Sequence, residues 1–277
     1  MDLLRSIVLG IIQGLTEFLP ISSSAHLAIF PQLFGWEDPG AAYTAVVQIG
    51  TEVAVVLYFW RDIWTIASAW LRGLVSRKAR QDPNWMMGWF IIIGSTPIVV
   101  FGLLLEDLID RDFRNLWVMA VMLIGLGLLL GLAEKVGRKS TPIESLTMGH
   151  AILFGLAQSC AIVPGVSRSG ATITMGLLLG YERQAATRYA FLLAIPAVLG
   201  AGIYKLKDIP GGENAYGTFP TIVGTLVSFA VGMAVIHWLL KYVSTHSYAP
   251  FVIYRVVLGL LVIGLLVFGI LDPQIAA

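Results

Sequence analysis

Three observations on this 277-residue chain predict an all-α integral membrane protein, with six transmembrane helices and two re-entrant helix–turn–helix hairpins in an inverted-topology repeat. First, 57% of the residues are hydrophobic and only 13% are charged, with a mean hydropathy of +0.81. A soluble domain needs more charged surface than that. Second, apolar runs recur near the length of roughly 20 residues that crosses a hydrocarbon layer about 30 Å thick. Third, a proline-broken polar segment is used twice, as GIIQGLTEFLPISSSAH at 10–26 and as GLAQSCAIVPGVSRSGAT at 155–172. With Gly10 laid on Gly155, an offset of 145 residues, Gln13 falls on Gln158 and Ser22-Ser23-Ser24 falls on Ser167-Arg168-Ser169. Pro20 and Pro164 are one position out of step. Paired broken segments of this kind mark the interface between membrane repeats, where sites are built.

Taken in order, the first element is a hairpin at 3–34, divided by Pro20 and its serines into halves too short to span with ease. Irregular backbone at that depth is tolerated where protein or a wet cavity surrounds it. Spans are predicted at 43–60, 87–105 and 116–133, then a second hairpin at 147–180 and spans at 187–204, 221–240 and 250–270. At the same offset, residues 46–60 lie over residues 191–205, so the repeated unit is a hairpin plus three spans. Repeat one covers about 1–135 and repeat two about 145–270, within a single membrane domain 1–277. Three spans between the hairpins is an odd number, so the hairpins enter from opposite faces and meet near the midplane.

Charge bias orients the chain. One side holds eleven basic residues: Arg61, Arg72, Arg77, Lys78, Arg80, Lys135, Arg138, Lys139, Arg183, Arg188 and Lys241. The other holds five, Arg5, Arg111, Arg114, Lys205 and Lys207, with the acidic Glu106, Asp107, Asp110 and Asp112. The first side is read as cytoplasmic, which leaves both termini and the first hairpin outside. No basic leader with a small-residue cleavage site opens the chain, so a cleaved signal peptide is not expected. A net charge of +1 gives no argument for nucleic acid as a partner. The single Cys160 rules out an internal disulfide and is expected to be a small core residue.

The polar residues of the first hairpin gather chemistry. Gln13 and Glu17 are one helical turn apart and share a face. Ser22, Ser23 and Ser24 follow Pro20, where serine suits the N-cap of the next helix. His26 lies three residues beyond Ser23, placing the two as neighbours on one turn. A carboxylate at membrane depth is costly and usually faces a functional cavity. The second hairpin supplies Ser167, Arg168, Ser169 and Thr172 beside another helix start, whose free N–H groups suit an anion. Arg168 adds a planar fork matched to phosphate oxygens. Small Gly165, Gly170 and Ala171 would let backbone approach a ligand, so the group describes a phosphate cradle.

Other polar residues have plainer expectations. Ser145 and Ser228 should bond back to carbonyls, and His150 and His237 should be interfacial. Arg255, near a span end, is expected to snorkel. Gln48 and Glu52 lie a turn apart, and facing the cavity or pairing with a neighbouring helix would equally explain Glu52. Trp60, Trp64, Trp85, Trp89, Trp117 and Trp238 read as interfacial anchors.

The segments at 13–26 (QGLTEFLPISSSAH) and 164–172 (PGVSRSGAT) resemble the two signature motifs of the bacterial undecaprenyl-diphosphate phosphatases, the bacitracin-resistance family. The resemblance covers essentially the whole chain. It implies hydrolysis of undecaprenyl diphosphate to undecaprenyl phosphate, which recycles the lipid carrier of cell-wall synthesis in the bacterial inner membrane. It also implies a divalent cation, Mg2+ or Ca2+, and a site open to the outer face. Carried over by position, its glutamate-rich motif maps to Gln13 and Glu17, with glutamine an accepted form of the first position. Its serine and histidine map to Ser23 and His26, and its arginine to Arg168. Ser24-Ala25 departs from the Thr-Gly common in other members.

On this reading Glu17, Ser23, His26 and Arg168 are catalytic. Gln13, Ser22, Ser24, Ser167, Ser169 and Thr172 bind the phosphates, and Glu17 with Gln13 bears the metal. Ser23 would attack the terminal phosphate, activated through Glu17 or His26, with direct attack by metal-bound water as the rival chemistry. The partners implied are the polyprenyl diphosphate and membrane lipids, with a homodimer left open. The rival function is a polyprenyl-phosphate flippase or anion transporter, since inverted repeats with broken helices are transporter architecture.

Overall fold

The computed structural model describes residues 1–105, 115–205 and 216–274. Among them the fold is all-helical, with eleven α-helices and no strand longer than an isolated bridge. The first hairpin is α1 (Asp2–Phe18) and α2 (Ser23–Leu33), and the second is α7 (Met148–Ser159) and α8 (Arg168–Leu178). The remaining helices are α3 (Gly40–Tyr58), α4 (Trp60–Val75), α5 (Pro83–Leu104), α6 (Leu116–Val136), α9 (Arg183–Lys205), α10 (Thr218–Val243) and α11 (Ala249–Val267). Local signals set several starts. Asp82 caps α5 ahead of Pro83, Asn115 caps α6 and Thr147 caps α7, each side-chain oxygen accepting an otherwise orphaned N–H.

Each predicted span lies on a helix, and one predicted loop does not stay a loop. Residues 61–75, read as part of a basic connection at 61–83, belong to α4, bent by 68° from α3 at Phe59. Its apolar face buries Ile66, Ala69 and Gly73, while Trp60, Trp64 and Leu71 are exposed beside Arg61 and Arg72. An amphipathic pattern interleaved with basic residues reads as a loop when only charge is counted. α5, α6, α10 and α11 are long and apolar enough to cross a membrane, and α3 with α4 adds a fifth candidate if counted as one broken span. These helices fit a multi-pass membrane protein. α9 differs in kind, because Ala186, Tyr189, Ala190, Phe191, Leu193 and Val198 are all buried around its circumference. A helix apolar on every side and enclosed by protein is a core helix.

The two halves pack by exchange: α1 lies on α10, and α7 lies on α5. Both crossings are glycine contacts. A Cβ at Gly10 would strike the backbone carbonyl of Gly224, and one at Gly155 would strike that of Gly94. Close backbone approach through small residues is how membrane helices pack when lipid is as apolar as leucine. α6 and α11 pack on each other between the halves.

Three sequence expectations change here. Cys160 is exposed, not in the core, because it begins a short 3-10 turn after α7. Arg255 is 0% exposed and does not snorkel, since its position on α11 faces α6 and the hairpin turns rather than a span end. Of the orienting charges, Arg111, Arg114, Lys207, Glu106, Asp107, Asp110 and Asp112 lie outside the described residues, as does the side chain of Lys205.

Candidate active site where the two hairpin turns meet

The helices that follow the two turns, α2 and α8, are 11 residues each and start at the 145-residue offset. Their N-caps are Ser22 (φ 76°) and Ser167 (φ 70°). Positive φ is strained for a residue with a Cβ. Among the described residues only Lys139 shares it outside glycine, so the matched pair is a built feature of the two turns.

The turns clasp each other through equivalent groups. The Ser169 hydroxyl donates to the Leu19 carbonyl at 3.1 Å, and the Gly165 N–H donates to the Ser24 hydroxyl at 3.3 Å. Arg255 lies over the junction, with its guanidinium within hydrogen-bond distance of five carbonyls. Pro20 (3.2 Å) and Gly165 (3.1 Å) are equivalent positions in the two turns, and Val166, Met122 and Leu123 complete the set. Proline and turn geometry leave the Pro20, Gly165 and Val166 carbonyls without helical donors, so a buried guanidinium satisfies them, while Met122 and Leu123 of α6 complete its own hydrogen bonding.

Glu17 is the centre of the polar network. One carboxylate oxygen pairs with Arg168 of the other hairpin. The other accepts from the Ser23 hydroxyl at 2.7 Å and from the Gln13 amide at 3.1 Å. The same amide reaches Thr51 of α3 at 3.3 Å. On one side of the Glu17–Arg168 pair lies a small cavity. Glu17, Arg168, Ser169, Thr51 and Glu52 form its polar part, and Phe18, Val55, Phe191, Ala194 and Val198 its apolar part. Ser24 is exposed and Ser23 half-buried at its turn.

The site residues named from sequence divide accordingly. Gln13, Glu17, Ser23 and Arg168 meet in one network. His26 does not bond Ser23. Its Nδ1 meets the Ser22 carbonyl at 2.6 Å, its Nε2 meets the Tyr254 hydroxyl at 2.6 Å, and its ring stacks on Tyr254. With α2 beginning at Ser23, the imidazole turns toward α11 while the Ser23 hydroxyl turns back to α1. The Ser22 and Ser24 hydroxyls bond each other at 3.1 Å, and those of Ser167 and Ser169 at 3.2 Å. Ser167 also caps the Gly170 N–H, and Thr172 bonds the carbonyls of its own helix at Arg168 and Ser169, so these two hold the helix start. Ser228 bonds carbonyls as expected, at Val47 and Thr225.

Residues 6–261 match the family described as bacitracin resistance protein BacA. The chain belongs to that family. Within it, an undecaprenyl-diphosphatase of Nocardioides sp. is 63% identical over 258 residues, covering 93% of this chain and 94% of the relative. One from Micrococcus luteus is 54% identical over 263 residues, covering 94% and 95%. One from Thermobifida fusca is 52% identical over 277 residues, covering 100% and 94%.

For a bacitracin-resistance family site, the donor set can be tested against a cation. No group of three His, Cys, Asp or Glu able to hold a metal occurs among the described residues. Two carboxylates, Glu17 and Glu52, do line one cavity. A hard divalent cation held by one or two carboxylates, waters and substrate phosphates fits that set, whereas an all-protein cage does not. Sequence reasoning missed Arg255, Thr51 and Tyr254. Arg255 carried a usable signal, since an arginine inside an otherwise apolar span is a functional candidate by default. Thr51 and Tyr254 carried none, because their partners lie on other helices.

Proposed function

We infer that the chain is an undecaprenyl-diphosphatase, an integral membrane hydrolase releasing inorganic phosphate from undecaprenyl diphosphate and leaving undecaprenyl phosphate. The reaction recycles the lipid carrier of cell-wall synthesis and gives bacitracin resistance. One observation carries the site: Glu17 is bonded at once to a hydroxyl of its own hairpin, Ser23, and to a cation of the other, Arg168. A carboxylate that bonds a hydroxyl and pairs with an arginine supplies, with them, a base, a nucleophile and a phosphate clamp.

In this reading the Ser23 Oγ attacks the terminal phosphorus and passes its proton to Glu17. The bond to the bridging oxygen breaks, undecaprenyl phosphate leaves, and the phosphoryl group remains on Ser23. Water then attacks the phosphoserine, and the bond from phosphorus to the Ser23 Oγ breaks; Glu17 returns its proton to that oxygen and takes one from the water, releasing inorganic phosphate and restoring both groups. The 2.7 Å Ser23–Glu17 bond favours Glu17 over His26 as the activating group. Arg168 exchanges part of its hold on Glu17 for phosphate oxygens, and Ser169 with the α8 start stands beside it. A divalent cation, Mg2+ or Ca2+, would be held by Glu17 and would neutralise charge on the diphosphate.

The same reading takes six helices as spans and the two hairpins as re-entrant elements of an inverted repeat. The exchanged packing of α1 and α7, the matched positive-φ caps and the reciprocal clasp of the turns support it. It places the protein in the inner membrane with both termini and the site's mouth outside. The comparisons support hydrolysis rather than the carrier reading. The test is phosphate release from undecaprenyl diphosphate by the purified chain in detergent with Mg2+ or Ca2+. No release with any divalent cation would return the carrier reading to first place.

A further inference from the structure

We propose that Tyr254 is a positioning residue for the reaction: through His26 it holds the strained turn that presents Ser23 to Glu17. The proposal rests on the hydrolase reading above. The two hairpins build the same turn and secure it differently. Ser22 and Ser167 occupy matching cap positions at φ 76° and 70°. In the second hairpin local bonds suffice. The Ala171 N–H donates to the Ser167 carbonyl at 2.9 Å, and the Ser167 hydroxyl accepts from the Gly170 N–H at 3.2 Å. In the first hairpin the equivalent backbone bond, from the His26 N–H to the Ser22 carbonyl, stretches to 3.4 Å. The Ser22 hydroxyl caps no backbone N–H and bonds Ser24 instead. What the backbone leaves loose, the His26 side chain takes up, with its Nδ1 2.6 Å from the Ser22 carbonyl. That carbonyl belongs to the peptide bond leading into Ser23, so holding it fixes where the Ser23 side chain starts.

A carbonyl can only accept, so Nδ1 carries the ring proton, and in the neutral imidazole Nε2 is then the acceptor. Tyr254 meets that need: its hydroxyl donates to Nε2 at 2.6 Å, with the two rings parallel to within 5°. Both imidazole nitrogens are thereby occupied, and neither is left to take the Ser23 proton. A third group that fixes the tautomer and orientation of a histidine is a recurring device of active sites. Arg255, the next residue on α11, donates to the Pro20 carbonyl at 3.2 Å. α11 therefore grips the first turn at two points, directly at Pro20 and through His26 at Ser22.

The experiment uses the full chain in detergent with two readouts, phosphate release from undecaprenyl diphosphate and the nitrogen resonances of 15N-labelled histidine. Tyr254→Phe keeps the ring and removes the hydroxyl. It should lower kcat about tenfold and leave KM within about twofold, because the turn is misaligned while the phosphate clamp is intact. Asparagine places an amide N–H where histidine has Nδ1, and glutamine places one where it has Nε2. His26→Asn should therefore retain at least about tenfold more kcat than His26→Gln, although neither can shuttle a proton. In the His26→Asn background, Tyr254→Phe should cost less than about twofold, because the phenol then has nothing to orient. Unchanged kcat in Tyr254→Phe overturns the proposal, as do equal losses in His26→Asn and His26→Gln. The chain has four histidines, and the signal missing from His26→Asn assigns that of His26. Nδ1 should be protonated and Nε2 not, and the Nε2 resonance should move in Tyr254→Phe. A proton on Nε2, or an unmoved resonance, also overturns the proposal. These signals need no turnover. Failure of the hydrolase reading would show as a protein that carries them and releases no phosphate, and failure of this one as a protein that releases phosphate without them.

Discussion

Ser23 donates to a carboxylate that also carries Arg168, so its reactivity depends on both hairpins. Ser23→Ala should lower phosphate release by at least about a thousandfold while thermal unfolding stays unchanged, because the half-buried hydroxyl supports no packing. Near-normal turnover would remove Ser23 as nucleophile and point to attack by water. Arg168→Ala should raise KM and lower kcat together, each by about tenfold or more, since it removes a two-point clamp present before and during reaction. Arg255 belongs to a different class. Arg255→Met should leave the Pro20, Gly165 and Val166 carbonyls buried without their donor and cost about 3–5 kcal/mol, read as a lower thermal midpoint. A midpoint equal to that of the unchanged protein would show that the junction holds without it. Gln13, Glu17 and Ser23 were legible in the sequence because helical spacing and a proline bring them together locally. Arg255 was not, because its proximity to a span end outweighed a burial that only carbonyls of α6 and of the two turns explain.

At the scale of elements, the hairpins were readable because proline and serine interrupt apolar runs too short to span. Their caps fall where the internal repeat predicts, at Ser22 and Ser167. α4 was hidden because its exposed face mixes tryptophan with arginine. The glycine crossings give a sharp test of the exchanged packing. Gly10→Ala and Gly155→Ala should each destabilise by about 1–3 kcal/mol, because the new methyl meets backbone that cannot rotate away. Gly125→Ala, in open space on α6, should be neutral or stabilising by up to about 1 kcal/mol. Equal thermal midpoints for all three would contradict the crossings.

For the whole molecule, the proposed orientation predicts which loops face outward. In a Cys160→Ser background, Asp38→Cys should react with a membrane-impermeant thiol reagent in intact cells, and Ser76→Cys only after permeabilisation. The reverse pattern would invert the topology without altering the site. Composition and periodicity alone determined that the chain is helical and has helices apolar enough to cross a membrane. Those properties depend on local spacing and on hydrophobicity, which a linear string carries in full. Only the tertiary structure decided that the Ser23 proton faces Glu17 rather than His26 and that Arg255 closes the junction of the turns. It also decided that Glu52 shares a cavity with Glu17 and Arg168. Each of those depends on which helices cross, and the crossings are set by the glycine contacts between the two halves, far apart in the chain.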